Sequence, residues 1–381
     1  MKVMLIGTLP PIKGISPYCQ GLLEALSKRI DVEFIGFKKI YPDFLYPGGT
    51  RIRDKEYMLI KIKNTKVRNV LTYYNPLSWI WAGLTAKGEI IHAQWWSNVL
   101  APVYFTLLFI YKFLKRKRIL ITVHNVIPHE TTNLDRILNR LVLSFGDRFI
   151  THTEGDRKSL SEIYDIPKEK IDVVPHGILI PAPIMGISKK DAKKHLGIAM
   201  NSRVVLYFGN IRAYKGLDIL IRAMKHVIER EPRAILLIAG ELWEDWQKYE
   251  DAIAESGIGG NVMKVLNFIP PSEVEYYFSS ADVVVLPYKH FDSQSGVGAM
   301  ALAFGKPLVV TRVGGLPDFV KDELAIARPN DAGDLAKVIA RILRDDRLSD
   351  KLSSESRQLA KRYKWGDAAE KTVQIYEKLS R

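Results

Sequence analysis

Short apolar runs that end in Gly, Pro, His or Thr alternate with helix-spaced patterns through both halves of the chain, and this alternation restricts the fold more than any other feature. Strands buried on both faces read as continuous Val, Ile and Leu runs, and crossover helices covering a parallel sheet bury them in that way. In the first half the predicted strands are KVMLIG, VEFIGF, IIHAQ, ILITVHN, RFITHT and IDVVPHG. In the second half they are RVVLYFG, AILLIAG, VMKVLNF, DVVVLPY and KPLVVT. Repeated βαβ units over 381 residues exceed what one core fills, since single cores stop growing near ~250 to 300 residues. Two α/β domains built on parallel sheets are predicted, over residues 1–182 and 183–363, with a closing helix at 364–381 that packs back on the first domain. The linker is placed at 178–198, which opens with two prolines and a glycine and turns into a charged helix.

Composition sets the class of partner. With 47% hydrophobic and 26% charged residues the chain reads as globular rather than disordered or fibrous. Cys19 is its one cysteine, so a disulfide framework or a cysteine metal cage is excluded, and a reducing cytoplasm fits. The opening MKVMLIGTLPP is too short in apolar residues for a signal peptide and reads as a first strand. The longest apolar stretch, VLAPVYFTLLFIY at 99–111, falls short of the ~18 residues of a membrane span. Net charge is +14; residues 1–182 hold 26 basic and 16 acidic side chains, or +10, and the rest hold 30 and 26, or +4. A basic first half concentrates anionic partners without choosing among them. Four consecutive cations, Lys115 to Arg118, follow the apolar stretch. They suit either a grip on an anionic membrane surface or the C-terminal end of a helix packed on the sheet.

In doubly wound sheets ligands gather beyond the carboxyl ends of the strands, so the residues there carry the functional reading. After VVLYFG comes NIRAYKGLDILI, in which Gly209 ends the strand, Gly216 opens a helix, and Arg212 and Lys215 lie in the connecting loop. Free helix N–H groups with two cations suit a diphosphate, and the same loop also reads as a solvated βα connection. The stretch KHFDSQSGVGAMALAFG repeats the geometry. Gln294, Ser295, Gly296 and Val297 would present donors to an anion, and Ser295 equally suits a plain helix cap. His124 sits at a strand end in ITVHNVIPHE, placed either to meet a sugar hydroxyl or to cap the strand, with His129 and Glu130 close behind. Gly14 lets the first βα loop approach a ligand or simply turn. No Asp-x-Asp and no i, i+4 His pair occurs, so neither a metal nor another cofactor is expected.

In order along nearly the whole chain, PPIKGIS, TVHN, VVPHG, FGNIRAYKGLDILI, LLIAGE, DVVVLPY, ALAFGKPLVVTRVGGLPDFV and WGDAAEKTVQIY resemble the retaining GT-B glycosyltransferases of family 4. The resemblance implies two facing Rossmann-like domains, a nucleotide-sugar held mainly by the second and an acceptor on the first. It assigns Arg212 and Lys215 to the donor diphosphate, and Gln294, Ser295 and Gly296 to phosphates and sugar. Glu241 then falls at a polar strand-end position, Phe268 and Ile269 where the base is read, and His124 near the transferred sugar. Two departures stand out. Where the family has an acidic residue, seven intervening residues and then a Glu, this chain has Asp292 and Met300, which resembles a subgroup with a Gln-Ser-Gly turn. Lys13 precedes Gly14 where many relatives have a second glycine.

The implied activity is retaining, metal-independent transfer of a hexose from a UDP- or GDP-sugar. The acceptor is a glycan, a lipid-phosphate or another anionic group, with possible contact to the inner membrane face. Arg212, Lys215, His124 and Asp292 form the expected catalytic set. Two alternatives stay open: a nucleotide-sugar epimerase or phosphorylase on the same fold, and a non-catalytic polyanion binder. Nucleic-acid binding is not expected, as no recognition module occurs.

Overall fold

A computed structural model describes residues 1–12, 14–41, 65–126, 133–178, 184–291 and 295–380. The chain divides into two compact units, Met1–Gly177 together with Lys364–Arg381, and Ile178–Tyr363. The first is built on a parallel sheet of β1 (Lys2–Gly7), β2 (Asp31–Lys39), β3 (Lys66–Thr72), β4 (Ile90–Trp95), β5 (Arg118–Val123), β6 (Arg148–Thr151) and β7 (Ile171–Val173). The order is β3-β2-β1-β4-β5-β6-β7, so direction of progress reverses between β1 and β4. β3, KVRNVLT, is missing from the predicted strands. It lies at the sheet edge and is mostly half-buried, so it lacks the continuous apolar run that marks an interior strand.

The two faces of this sheet bury different helices. On one, Trp79, Tyr104, Leu107 and Val142 from helices Pro76–Thr85, Ala101–Phe109 and Asn133–Leu143 pack with Ile6, Ile91 and Ile121. On the other, helix Ser16–Leu26 and the final helix Trp365–Ser380 lay Leu22 and Tyr376 against Leu5 and Val32. The final helix is seated tightly. A β-carbon on Gly21 or on Gly177 would come within 2.3 Å of the Trp365 indole, so both positions need a bare backbone.

The second unit has β8 (Arg203–Phe208), β9 (Ala234–Ala239), β10 (Val262–Val265), β11 (Val283–Leu286), β12 (Leu308–Thr311) and β13 (Ile326–Ala327). They form a parallel sheet in the order β10-β9-β8-β11-β12-β13, reversing between β8 and β11. β13 has two residues, too few to leave an apolar run to read. The stretch read as a linker is fastened to this unit. The backbone N–H groups of Met185, Gly186 and Ile187 donate to the Glu275 carboxylate at 2.6, 2.7 and 2.8 Å. Charge-assisted bonds of this kind are roughly twice as strong as neutral ones.

Candidate active site

The reversal between β8 and β11 is where a doubly wound sheet opens a crevice beyond its strand ends. Beyond β8, Gly209 turns the chain at φ +96°, Ala213–Lys215 makes one tight turn, and Gly216 at φ +68° starts helix Leu217–Arg230. Beyond β11, Pro287 and Tyr288 lead to Ser295, whose Oγ accepts from Gly298 N at 3.2 Å and so caps helix Gly296–Ala303. The two bends interlock. Lys289 N donates to Tyr214 O at 2.7 Å, and Lys289 Nζ pairs with Asp218 at 2.9 Å. A β-carbon on Gly216 would stand 1.9 Å from Pro287 O.

The space left by these glycines is where the cation sits. Measured from an ideal β-carbon on Gly209, Val297 Cγ2 is at 3.1 Å and Lys215 Nζ at 3.4 Å, so helix start, turn and ammonium converge. Lys215 Nζ also lies 5.7 Å from the Tyr288 ring centre, and the Tyr288 hydroxyl is 3.3 Å from Ser295 Oγ. Among the described residues no carboxylate pairs with Lys215. Burial, and then the neighbouring Arg212, push its ammonium down to about 8. The Arg212 guanidinium carbon lies over the Trp243 ring, 3.9 Å from its centre, and Trp243 Nε1 donates to Glu241 Oε2 at 3.0 Å. Gly240 completes the crowding: a β-carbon there would lie 2.1 Å from Gly209 O.

Glu241 follows β9, and Phe268 and Ile269 follow β10, so the order β10-β9-β8-β11 brings them to the same sheet edge as Gly209, Arg212, Lys215, Ser295, Gly296 and Val297. Phe268 is exposed and Ile269 buried. Met300 packs against the apolar cluster that holds Leu286 and Phe319, so a carboxylate in its place would face hydrocarbon. Asp292 and Gln294 lie outside the described residues, as do His129 and Glu130. Among the described residues no group of three or more His, Cys, Asp or Glu is arranged to hold a metal ion.

Gly14 and His124 belong to the first unit. Gly14 takes φ +92° with open space around it. His124 stands in a buried chain of polar groups: Nε2 meets Gln94 Oε1 at 3.0 Å, and Nδ1 meets His152 Nε2 at 3.2 Å. With both ring nitrogens engaged, a sugar hydroxyl could bond to His124 only by displacing one of them. His152 Nδ1 meets Val174 O at 3.0 Å, and His92 spans Tyr376 Oη and Thr122 Oγ1 at 2.6 and 2.7 Å. Val174 O only accepts, so His152 donates from Nδ1; Gln94 Oε1 only accepts, so His124 donates from Nε2. The contact between the rings then needs a third proton and hence a positive charge. A neutral chain has the Gln94 amide the other way round, with Nε2 toward His124 and Oε1 accepting from His92 Nε2–H.

Burial favours that neutral state. It lowers His92 and His176 to about 3 and His152 to about 4, and holds His124 well below the usual imidazole range. Unfolded imidazoles titrate near ~6.5, so the unfolded chain binds more protons than the native one below that pH. Stability is therefore full above pH ~6.5 and is lost progressively as pH falls toward about 3. Urea midpoints at pH 7 and pH 5 should show a clear drop at the lower value in the wild type and a smaller one in His152→Gln.

Sequence reasoning did not single out Trp243, Tyr288, His152 or His176. The two histidines had a readable signal: each follows its strand at nearly the offset of His124, and neighbouring parallel strands bring equal offsets side by side. Trp243 had none, because it is the bridge between Ile211 and Leu242 that folds it over Arg212.

Comparison with known proteins bears on the fold. Residues 188–359 match the family Glycosyl transferases group 1, and residues 12–179 match Glycosyltransferase Family 4. The Anabaena protein HepE, crystallised with UDP and glucose, superposes over 100% of this chain and 99% of its own with a TM-score of 0.76 at 19% identity. The chain has the two domains of a GT-B glycosyltransferase. Another GT-B structure, WaaG, a glycosyltransferase involved in lipopolysaccharide biosynthesis, matches over 98% of this chain and 99% of its own with a TM-score of 0.65 at 14% identity. Among curated relatives, D-inositol 3-phosphate glycosyltransferase of Saccharomonospora viridis is 28% identical over 244 residues, 62% of this GT-B chain and 56% of that protein. An uncharacterised glycosyltransferase of Methanocaldococcus jannaschii is 29% identical over 238 residues, 60% of this chain and 59% of that one. These alignments span less than two thirds of either relative.

Proposed function

We propose that the protein transfers a hexose from a nucleoside diphosphate sugar to an anionic acceptor, with retention at the anomeric carbon and without a metal. The carrying observation is the Lys215 ammonium, which pairs with no carboxylate among the described residues and is lodged between the Gly209 turn and Val297 at the β8/β11 reversal. As the anomeric bond breaks, negative charge grows on the diphosphate. Lys215, Arg212 and the free N–H groups of helix Gly296–Ala303 are fixed donors for that charge, which is the arrangement that lowers a barrier most. Ser295, Gly296 and Val297 line the phosphate side, while Glu241, Phe268 and Ile269 serve the ribose and base. Asp292, Gln294, Gly14 and His124 are assigned by resemblance, with His124 having to release Gln94 or His152 to reach the sugar. UDP is favoured over GDP because HepE has been crystallised with UDP, UDP-glucose and glucose. An anionic acceptor fits the basic first half of the chain and the inositol phosphate in the name of the Saccharomonospora viridis relative.

A ligand that binds only the native state raises apparent stability. In a thermal-shift screen of UDP-, GDP- and ADP-hexoses, the UDP-hexoses should raise the melting temperature of the full chain and lose that effect in Arg212→Ala. A screen in which no nucleotide sugar shifts the melting temperature would reject the reading.

A further inference from the structure

The Arg212 guanidinium is a fork of N–H donors, and among the described residues no carboxylate or other hydrogen-bond acceptor takes any of them, although the residue is half-buried. What holds the side chain is the Trp243 indole, with the guanidinium carbon over the ring at 3.9 Å from its centre. Such a contact draws the cation to the negative face of the ring, whereas a carboxylate partner would neutralise the charge and occupy the fork. The distinction matters because Lys215 stands close enough for Arg212 to lower its pKa. Two cations with no anion between them repel. Keeping them together before a ligand arrives takes an attraction that cancels neither charge.

The indole is itself fixed in place. Its Nε1 donates to Glu241 Oε2 at 3.0 Å. The loop that carries it runs on beyond β9 alongside the loop beyond β8. Ile211 N donates to Glu241 O at 2.8 Å, Trp243 N donates to Ile211 O at 3.2 Å, and Ile211 bridges Leu242 in parallel. Arg212 follows Ile211 directly and is extended, at φ −142° and ψ 149°. Ring and guanidinium thus hang from two cross-bonded stretches of chain, so backbone and Glu241 set the pair with no ligand needed to form it.

We propose that Trp243 is a positioning residue for the diphosphate: its ring holds the Arg212 guanidinium near Lys215 with the N–H fork left open, so that an oxyanion meets two charges already in place. The inference rests on the sugar-nucleotide reading of this site and adds the residue that preorganises its second cation. Donors ordered in advance bind more tightly because less ordering remains for the binding step. Acting through Arg212 separates this role from that of a stacking platform for the nucleobase, which would keep its effect whether or not Arg212 were present.

Isothermal titration of the full chain with UDP and GDP tests it, the tighter of the two serving for a double-mutant cycle. Trp243→Leu should weaken binding roughly tenfold, and Trp243→Phe, which keeps a ring face, should recover most of that loss. In an Arg212→Ala background Trp243→Leu should cost less than about twofold more, because the cation it holds is already gone. Trp243→Met, which has no ring but fills more of the indole's space, gives the same cycle should Trp243→Leu melt early. Equal losses with and without Arg212 would overturn this inference alone and assign the ring to the nucleobase or to folding. A Trp243→Leu variant that binds like wild type would overturn it as well. A wild type that binds neither nucleotide would overturn the sugar-nucleotide reading and this inference with it.

Discussion

Lys215→Ala is expected to lower turnover roughly 10² to 10³-fold, the ~2.7 to 4 kcal/mol lost when one fixed donor to developing negative charge is removed. Its ammonium sits at the Gly209 turn with no described carboxylate to neutralise it, beside a second cation. Among the described residues no acidic side chain offsets that charge, which suits it to an anion supplied from outside. The free chain should then show kcat/KM falling as pH rises through about 8, because Lys215 loses its proton there. Lys215→Arg should abolish the fall, since a guanidinium stays charged. Stability runs the opposite way. The native pKa lies below the ~10.4 of an unfolded lysine, so the unfolded chain binds more protons between about 8 and ~10.4 and stability rises across that window. Lys215→Met should therefore melt at a higher temperature than wild type while losing transfer. A purely structural lysine would give the reverse, a less stable protein with activity preserved.

Gly216→Ala should cost ~2 to 4 kcal/mol of stability, combining a left-handed backbone with overpacking. Gly216 holds φ +68°, and its β-carbon would lie 1.9 Å from Pro287 O. The obstacle is backbone, so no side chain can rotate away. Relief requires the β8 and β11 bends to part, which pulls Lys215 away from Val297. Chemical denaturation should show the lower stability, and the same variant should bind UDP at least tenfold more weakly. Wild-type stability and UDP affinity in this variant would mean that the two bends are not clamped together as described.

How far the sequence could be read follows from how each element is buried. Interior strands such as VVLYF and VVVL are covered on both faces, so a plain apolar run announces them. The edge strand Lys66–Thr72 is partly solvated and interrupts its apolar residues with Arg68 and Asn69, and the two-residue β13 has no pattern at all. The site was legible where backbone geometry demands a residue type: Gly209 and Gly216 at positive φ, and Ser295 at a helix start. Trp243 over Arg212 was illegible because a bridge between distant loops puts it there. Met300 reads as a missing carboxylate in sequence, and in the fold it is a core contact. That helix Pro76–Thr85 turns Leu77, Ile80, Trp81 and Leu84 to solvent was invisible for a different reason. Its apolar period looks the same whether it turns in or out, and only Trp79, Ala82 and Gly83 on the sheet side decide which.

The central claim is that the second unit grips a diphosphate between its β8 and β11 bends. The most direct measurement is a crystal structure of the full chain grown with UDP. The account predicts phosphate oxygens at hydrogen-bond distance, ~2.7 to 3.2 Å, from both Lys215 Nζ and the backbone N–H groups at the start of helix Gly296–Ala303. A diphosphate ordered anywhere else on the protein, with Lys215 still facing only Tyr288 and Gly209, would contradict it.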